Sequence, residues 1–183
     1  MLASEHGGDP VKDWSVSAPV EGPPQLLKSP VADRQVYFSL SHSSEWLACA
    51  TSHVQIGLDI ETLRRQGSVD DLAQIACTKT EQRRLVKLSA AASKEHFRKI
   101  WTLKEAYLKR TGEGLDFAVL QRLETCSPST SSPFNGLVWS GVGLTISLVG
   151  AKKARVRWSV APVTLALLDE PERWSVTLLP PAK

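Results

Sequence analysis

The sequence lacks the features that mark secreted and membrane proteins. Its three cysteines, Cys49, Cys77 and Cys126, form an odd and widely spaced set that offers neither a disulfide framework nor a paired-cysteine metal site. The N-terminus has no apolar run of the kind found in a secretory leader. The most apolar stretch, residues 160–168, is too short to span a bilayer. We therefore expect a cytoplasmic protein with reduced thiols and no membrane partner.

A strong charge of either sign is also absent. The net charge of +3 permits a phosphate-rich ligand or an acidic protein partner, but it is too weak to indicate nucleic-acid binding. Hydrophobic residues make up 42% of the chain and charged residues 22%, which are ordinary values for a globular fold. The length of 183 residues suits one domain or two small lobes that share a core.

The order of the predicted elements indicates an α+β fold. Residues 1–35 are rich in Pro, Gly, Ser and charge, which is typical of a loosely structured arm with at most a short strand at 14–16, and order is expected from residue 36 onward. The predicted strands and helices follow one another along the chain: strands at 36–40, 46–51 and 54–60, helices at 70–76, 78–88 and 94–110, and strands at 143–149, 156–168 and 174–179. Strands, then helices, then strands is the pattern of an α+β domain.

Local signals fix the ends of two predicted helices. Thr78 and Glu81 fit a capping box at the start of the helix at 78–88. Ser93 is the expected N-cap of the helix at 94–110, and Gly112 is expected to end it.

Two carboxylates fall on one face of the predicted strand at 54–60 and its continuation. Leu58 and Ile60 alternate with Asp59 and Glu61, and side chains alternate faces along a strand, so the two acidic residues lie on one side with Cα atoms roughly 6.5–7 Å apart. Two ionised carboxylates this close repel each other unless a cation lies near them. Mg²⁺ prefers oxygen ligands and would supply that charge. A solvated pair on an exposed strand face is the alternative interpretation.

A third carboxylate lies in the helix predicted at 94–110. One stripe of this helix carries three apolar residues and one acid: Phe97, Trp101, Leu108 and Glu105. A carboxylate on a buried stripe must be paired, protonated or ligated. Sharing a metal with the two strand carboxylates would satisfy all three acids, whereas a salt bridge to a nearby lysine would satisfy Glu105 alone.

Two lysines, Lys104 and Lys109, flank Glu105 and have two interpretations of their own. Basic residues near the end of a helix commonly do no more than compensate its dipole. Beside a metal site, ammonium groups would instead neutralise the charge of a phosphate or pyrophosphate ligand.

A hydroxyl-rich segment, Ser41-His42-Ser43, follows the predicted strand at 36–40. A hydroxyl and an imidazole at the end of a strand can bind phosphate or form a hydrolase pair. The sequence has no G-x-S-x-G elbow, which disfavours the hydrolase. Turn and cap chemistry is the more frequent role of such a pair.

Three segments together resemble the 4′-phosphopantetheinyl transferase superfamily, and most of all its surfactin-synthetase-activating branch. FSLSHS at 38–43, IGLDIE at 56–61 and WTLKEAYLK at 101–109 match the SHS, G-x-D-x-E and W-x-x-K-E-A-x-x-K patterns of that family, in order. The resemblance implies an antiparallel sheet packed on a long helix. It also implies that residues 36–183 form the transferase domain, preceded by a shortened N-terminal lobe in residues 1–35.

The resemblance implies transfer of the 4′-phosphopantetheine group of coenzyme A to a serine of an apo acyl or peptidyl carrier protein. It implies Mg²⁺ or Mn²⁺ held by Asp59, Glu61 and Glu105, with Glu105 also acting as the base toward the carrier serine. Lys109 would neutralise phosphate charge and help expel 3′,5′-ADP. Three further side chains would contact coenzyme A phosphates: Ser41, His42 and Lys104.

The upstream part departs from the family pattern. Pro23 stands where the family usually has a lysine, and only 36 residues precede Tyr37. Three explanations are open: a second chain covers the site in a homo-oligomer, coenzyme A is bound weakly, or activity is lost and a carrier-binding or regulatory module remains. A basic run is available to meet an acidic carrier, or is simply solvated: Arg64, Arg65, Arg83, Arg84 and Lys87.

Overall fold

Antiparallel strand pairing organises the part of the chain that the structure, a computed structural model, describes: residues 7–9, 12–17, 24–30, 35–62, 68–127, 133–141, 143–150 and 168–181. The strands in these ranges are β1 (Ser15–Ser17), β2 (Gln25–Lys28), β3 (Tyr37–Ser43), β4 (Trp46–Ser52), β5 (Gly57–Thr62), β6 (Leu123–Cys126), β7 (Gly136–Gly141), β8 (Leu144–Val149) and β9 (Glu172–Leu178). The helices are α1 (Val69–Ala76), α2 (Lys79–Leu85), α3 (Ala90–Thr111) and α4 (Phe117–Leu120).

Five strands form the main sheet in the order β5-β8-β7-β9-β6, which leaves β5 at one edge. Two strand pairs, β1-β2 and β3-β4, form separate two-stranded sheets. Every pairing among these strands is antiparallel, and the long helix α3 contacts β5, β8, β7 and β9. The predicted α+β class is confirmed. The strand predicted at 156–168 lies outside the described residues, apart from its last position.

The long helix begins earlier than its sequence signal indicated. Its N-cap is Ser89, whose side chain accepts a hydrogen bond from the Ala92 amide, so the prediction of Ser93 as the cap was wrong. Ser93 lies one turn inside the helix and is buried. At the other end Gly112 takes a left-handed conformation with φ of 77°, which glycine adopts without strain, so the predicted stop is confirmed.

Apolar packing on both faces of the sheet fixes β5 in place. On one face α3 contributes the predicted buried residues Phe97, Trp101 and Leu108 to the larger core cluster. On the other face Leu58 and Ile60 of β5 pack in a second cluster: Trp139, Leu144 and Ile146 complete it. The predicted apolar face of this strand is therefore confirmed.

Gly57 allows α3 to approach β5 closely. A Cβ atom at this position would lie 1.8 Å from the carbonyl oxygen of Ala106, far inside van der Waals contact. Because side chains alternate along a strand, Asp59 and Glu61 lie on the same face as Gly57, the face that meets α3. The glycine of the G-x-D-x-E segment thus sets both acidic side chains beside the helix.

Two further observations complete the fold. Cys49, Cys77 and Cys126 are free thiols, as predicted. No helix within the described ranges combines the length and the apolar character needed to cross a membrane.

Candidate active site

Asp59 is the centre of the candidate site. It is only 2% exposed, and its Oδ1 atom accepts hydrogen bonds from Ser41 Oγ and Lys109 Nζ, both at 2.7 Å. Lys109 Nζ also donates to Ser41 Oγ at 2.8 Å, so the three groups form a closed triangle. The second carboxylate oxygen, Oδ2, is buried and has no hydrogen-bond partner among the described residues. An ionised oxygen in that position is costly unless something cationic or proton-donating meets it.

Serines of β3 line the free edge of β5. The hydroxyls of Ser39, Ser41 and Ser43 accept hydrogen bonds from the backbone amides of residues 58, 60 and 62 at 2.9, 3.2 and 3.2 Å. The sequence prediction ended the first strand at residue 40 and placed the Ser41-His42-Ser43 segment beyond it. That boundary was wrong, because all three residues belong to β3 and pair with β4.

Glu61 lies two residues beyond Asp59 and is half-buried. Its Oε2 atom accepts a hydrogen bond from Ser43 Oγ at 3.1 Å. A cation on α3 lies nearby: Arg98 Nε donates to Thr145 Oγ1 at 2.8 Å, and Thr145 pairs with Glu61 across the sheet. Burial lowers the pKa of the Arg98 guanidinium, while the charges of Glu95 and Glu61 act in the opposite direction.

One polar stripe of α3 faces the β5 and β8 strands. Arg98 contacts Thr145, Thr102 Oγ1 lies 2.6 Å from Ser147 Oγ, and Lys109 contacts Asp59. Helical periodicity places Glu105 on this stripe, between Thr102 and Lys109. Glu105 is half-buried rather than embedded in the apolar stripe that the sequence predicted. Arg98 and Thr102 were not predicted from the sequence, although their spacing of seven and three residues from Glu105 is the helical spacing that could have revealed them.

Lys104 lies elsewhere in the fold. Its ammonium group is 0% exposed and donates to three acceptors: Ala76 O at 2.7 Å, Glu81 Oε2 at 2.6 Å and Leu120 O at 2.8 Å. These contacts use all three of its donors and join α1, α2 and α4 to α3.

Glu81 is the other half of this buried ion pair. It forms the predicted capping box with Thr78, which is confirmed. Its Oε1 atom also accepts from the amide and the hydroxyl of Thr125, at 2.8 and 2.7 Å. The partnership with Lys104 was not visible in the sequence, because the two residues are 23 positions apart on different helices.

Comparison with known proteins identifies the family. A family model of the 4′-phosphopantetheinyl transferase superfamily matches residues 55–175, a range that contains Asp59, Glu61, Glu105 and Lys109. The chain belongs to this superfamily.

Curated members of the superfamily are similar to part of the chain. The 4′-phosphopantetheinyl transferase HetI of Nostoc sp. (strain PCC 7120) is 36% identical over 100 residues, which cover 54% of this chain and 41% of HetI. The transferase gsp of Aneurinibacillus migulanus is 33% identical over 87 residues, covering 47% of this chain and 35% of gsp. The transferase Sfp of Bacillus subtilis (strain 168) is 32% identical over 79 residues, covering 43% and 34%. The match therefore spans well under half the length of these relatives.

Among solved structures, the chain is similar to a holo-(acyl-carrier-protein) synthase from Bacillus anthracis str. Ames in complex with CoA (3′,5′-ADP). The TM-score is 0.44 at 23% identity, and the match covers 53% of this chain and 95% of that one. The Thermotoga maritima holo-[acyl-carrier-protein] synthase gives a TM-score of 0.41 at 20% identity, covering 53% of this chain and 62% of that one.

The three residues that the superfamily resemblance assigned to coenzyme A phosphates lie in different surroundings in the structure. The buried ammonium group of Lys104 is saturated by protein acceptors, so a phosphate contact by Lys104 is not supported. Ser41 is 6% exposed, and its hydroxyl is used by Asp59, Lys109 and the residue 60 amide. His42 is exposed, on the opposite side of β3 from Ser41, so the two do not form a hydrolase pair.

Two observations on the carboxylates concern the predicted metal site. Within the described ranges, no group of three or more His, Cys, Asp or Glu side chains converges closely enough to hold a metal ion. Asp59, Glu61 and Glu105 are thus not assembled into a closed ligand set. The unpartnered Oδ2 of Asp59 is nevertheless a hard oxygen donor with a buried negative charge. Its chemistry, with a second carboxylate on the same strand face, fits Mg²⁺ or Mn²⁺.

Proposed function

We propose that this protein transfers the 4′-phosphopantetheine group of coenzyme A to a serine of an apo acyl or peptidyl carrier protein. The observation that carries the proposal is the buried Asp59 carboxylate within the family-matched range, with one oxygen paired to Lys109 and the other without a partner. In this centre Asp59 Oδ2 would bind a cation and the neighbouring Lys109 ammonium would bind a phosphate oxygen. Transfer from a pyrophosphate needs both kinds of charge neutralisation.

In the proposed step the oxygen of the carrier serine attacks the phosphorus that bears the pantetheine arm. The bond from that phosphorus to the bridging oxygen of the pyrophosphate breaks, and 3′,5′-ADP leaves with the electron pair. The serine proton passes to Glu105, the half-buried carboxylate on the polar stripe of α3. Chemistry of this kind depends mostly on positioning and on neutralising charge.

Lys109 is the residue placed to neutralise that charge. Its side chain is 33% exposed, and its ammonium group has one donor left after its hydrogen bonds to Ser41 and Asp59. We assign it to a pyrophosphate oxygen of coenzyme A and to the developing charge on the leaving group. His42, exposed on β3, is our candidate for the 3′-phosphate of coenzyme A.

Asp59, Glu61 and Glu105 are the residues that would hold Mg²⁺ or Mn²⁺. When bound, the cation supplies positive charge to the pyrophosphate oxygens. The closed triangle of Asp59, Ser41 and Lys109 keeps Oδ1 occupied and leaves Oδ2 for that purpose.

The acidic carrier would meet exposed basic residues. Arg83 and Lys87 lie exposed in and after α2 and fit this role. Arg84 does not, because it pairs with Glu124 at 3.1 Å and donates to Thr125 O at 2.8 Å. Arg64 and Arg65 lie outside the described residues. We place the reaction in the cytoplasm, which the three free thiols support.

Intact-mass spectrometry of several apo carrier proteins, incubated with this protein, coenzyme A and Mg²⁺, tests the proposal. We expect a mass gain of one phosphopantetheine group per carrier that is abolished by EDTA. Carrier binding without any mass gain would contradict the proposal and favour a carrier-binding module without catalysis.

A further inference from the structure

The edge of β5 is closed by side chains rather than by another backbone. β5 is the outer strand of the main sheet, and its outward amides at residues 58, 60 and 62 would be left open for pairing with another chain. The neighbouring strand β3 uses its backbone to pair with β4 and offers β5 three hydroxyls instead. We call Ser39, Ser41 and Ser43 the serine ladder.

Two serines of the ladder, Ser41 and Ser43, hydrogen-bond to a carboxylate as well as to a backbone amide. Ser41 Oγ accepts from the residue 60 amide and donates to Asp59 Oδ1 at 2.7 Å. Ser43 Oγ accepts from the residue 62 amide and donates to Glu61 Oε2 at 3.1 Å. A hydroxyl has one donor and two acceptor positions, so each serine can serve an amide and a carboxylate together.

The third rung has no carboxylate to hold. Ser39 accepts from the residue 58 amide at 2.9 Å, but the β5 residue that corresponds to Asp59 and Glu61 at this rung is Gly57. Ser39 is therefore an internal control. All three serines accept a hydrogen bond from a β5 amide, but of the three only Ser41 and Ser43 also donate to a β5 carboxylate.

We propose that Ser41 and Ser43 are positioning residues that orient the Asp59 and Glu61 carboxylates for a divalent cation. The inference rests on the proposed function, in that it takes these carboxylates as cation ligands. By holding Asp59 Oδ1, Ser41 determines which way the buried carboxylate turns and leaves Oδ2 as the open oxygen. This differs from the coenzyme A phosphate contact that the sequence predicted for Ser41.

The test compares Ser41→Ala, Ser43→Ala and Ser39→Ala in the full chain by two measurements. Amide hydrogen exchange followed by NMR reports the backbone role. Each variant should accelerate exchange at the amide facing it.

Titration with Mn²⁺ in the absence of coenzyme A reports the carboxylate role. Loss of a hydrogen-bond partner of a metal ligand typically weakens binding by 10- to 100-fold, so we expect about tenfold or more for Ser41→Ala and Ser43→Ala. For Ser39→Ala we expect a change of less than about twofold, because no carboxylate contact is lost.

Equal Mn²⁺ affinities in all three variants would overturn the positioning role. If the wild-type protein still transfers phosphopantetheine in that case, the proposed function stands. A wild-type protein that transfers nothing, but shows the expected order of affinities, would defeat the proposed function and support the ladder. Absence of Mn²⁺ binding by the wild-type protein would overturn the positioning role. Should Ser41→Ala fail to fold, the less buried Ser43 carries the comparison with Ser39.

Discussion

Replacing Lys104 by methionine should destabilise the fold rather than weaken phosphate binding. The substitution removes three hydrogen bonds of 2.6–2.8 Å and the cation of a pair in which both side chains are 0% exposed. Glu81 is then left as a buried charge whose remaining hydrogen bonds, among the described residues, are to Thr78 and Thr125. Removing one partner of a buried pair typically costs about 3–5 kcal/mol of unfolding free energy. For a chain of this length, that lowers the Tm by roughly 6–20 °C.

Urea unfolding followed by tryptophan fluorescence measures this loss. Lys99→Met is the matched control, because Lys99 pairs with two partly exposed carboxylates, Glu95 and Glu172. Lys99 itself is only 12% exposed, but removing it leaves two carboxylates that water can still reach, so we expect a smaller loss of unfolding free energy than for Lys104→Met. A second substitution, Glu81→Gln, should recover part of the loss in the Lys104→Met background by removing the uncompensated charge. A Lys104→Met protein of unchanged stability that binds coenzyme A tenfold more weakly would refute this reasoning.

Further predictions concern the helix contact, the helix cap and a buried thiol. Gly57→Ala should destabilise the protein by several-fold more than a surface glycine change, because its Cβ would meet the Ala106 carbonyl; the urea midpoint checks this. Ser89→Ala should cost about 1 kcal/mol of unfolding free energy through loss of the α3 cap, whereas Ser93→Ala, inside the helix, should cost less; equal costs would contradict the observed boundary. Burial raises the pKa of the Cys77 thiol to about 12, so a thiol-alkylating reagent at pH 9 should modify Cys77 last, as peptide mapping would show. Because that pKa is raised above the unfolded value, the contribution of Cys77 to stability is present below pH 9 and is lost as pH rises from about 9 to 12.

Local patterns explain which features could be predicted from the sequence. The alternation of Leu58 and Ile60 with two acids reported the two faces of β5, and the Thr78–Glu81 spacing reported a capping box. Gly112 marked the end of α3 because a left-handed residue is needed there. Each of these signals is complete within a few neighbouring residues.

Features that depend on distant partners could not be predicted. Lys104 resembled a phosphate ligand because nothing near it in the sequence shows that Glu81 and two carbonyls surround its ammonium group. Ser41 resembled a ligand contact because the strand it faces, β5, begins 16 residues further along the chain. Serine is also a weak strand signal, so the end of β3 was placed too early.

Two expectations about the N-terminal part of the chain stay predictions. The boundary between an N-terminal arm at residues 1–35 and a transferase domain at 36–183 is one. The weakening of coenzyme A binding by Pro23 is the other, because Pro23 lies outside the described residues.

The transfer assay with an Asp59 variant tests the central claim most directly. Asp59→Asn keeps the size of the side chain and an oxygen for Ser41 but removes the buried charge, and Asp71→Asn, an exposed acid in α1, is the matched control. With coenzyme A and Mg²⁺ we expect intact-mass spectrometry to show carrier modification by the wild-type protein and by Asp71→Asn. We expect Asp59→Asn to be slower by on the order of 100-fold, the loss typical when one electrostatic contributor is removed. Equal rates for the two variants would contradict the assignment of Asp59 as the centre of the site.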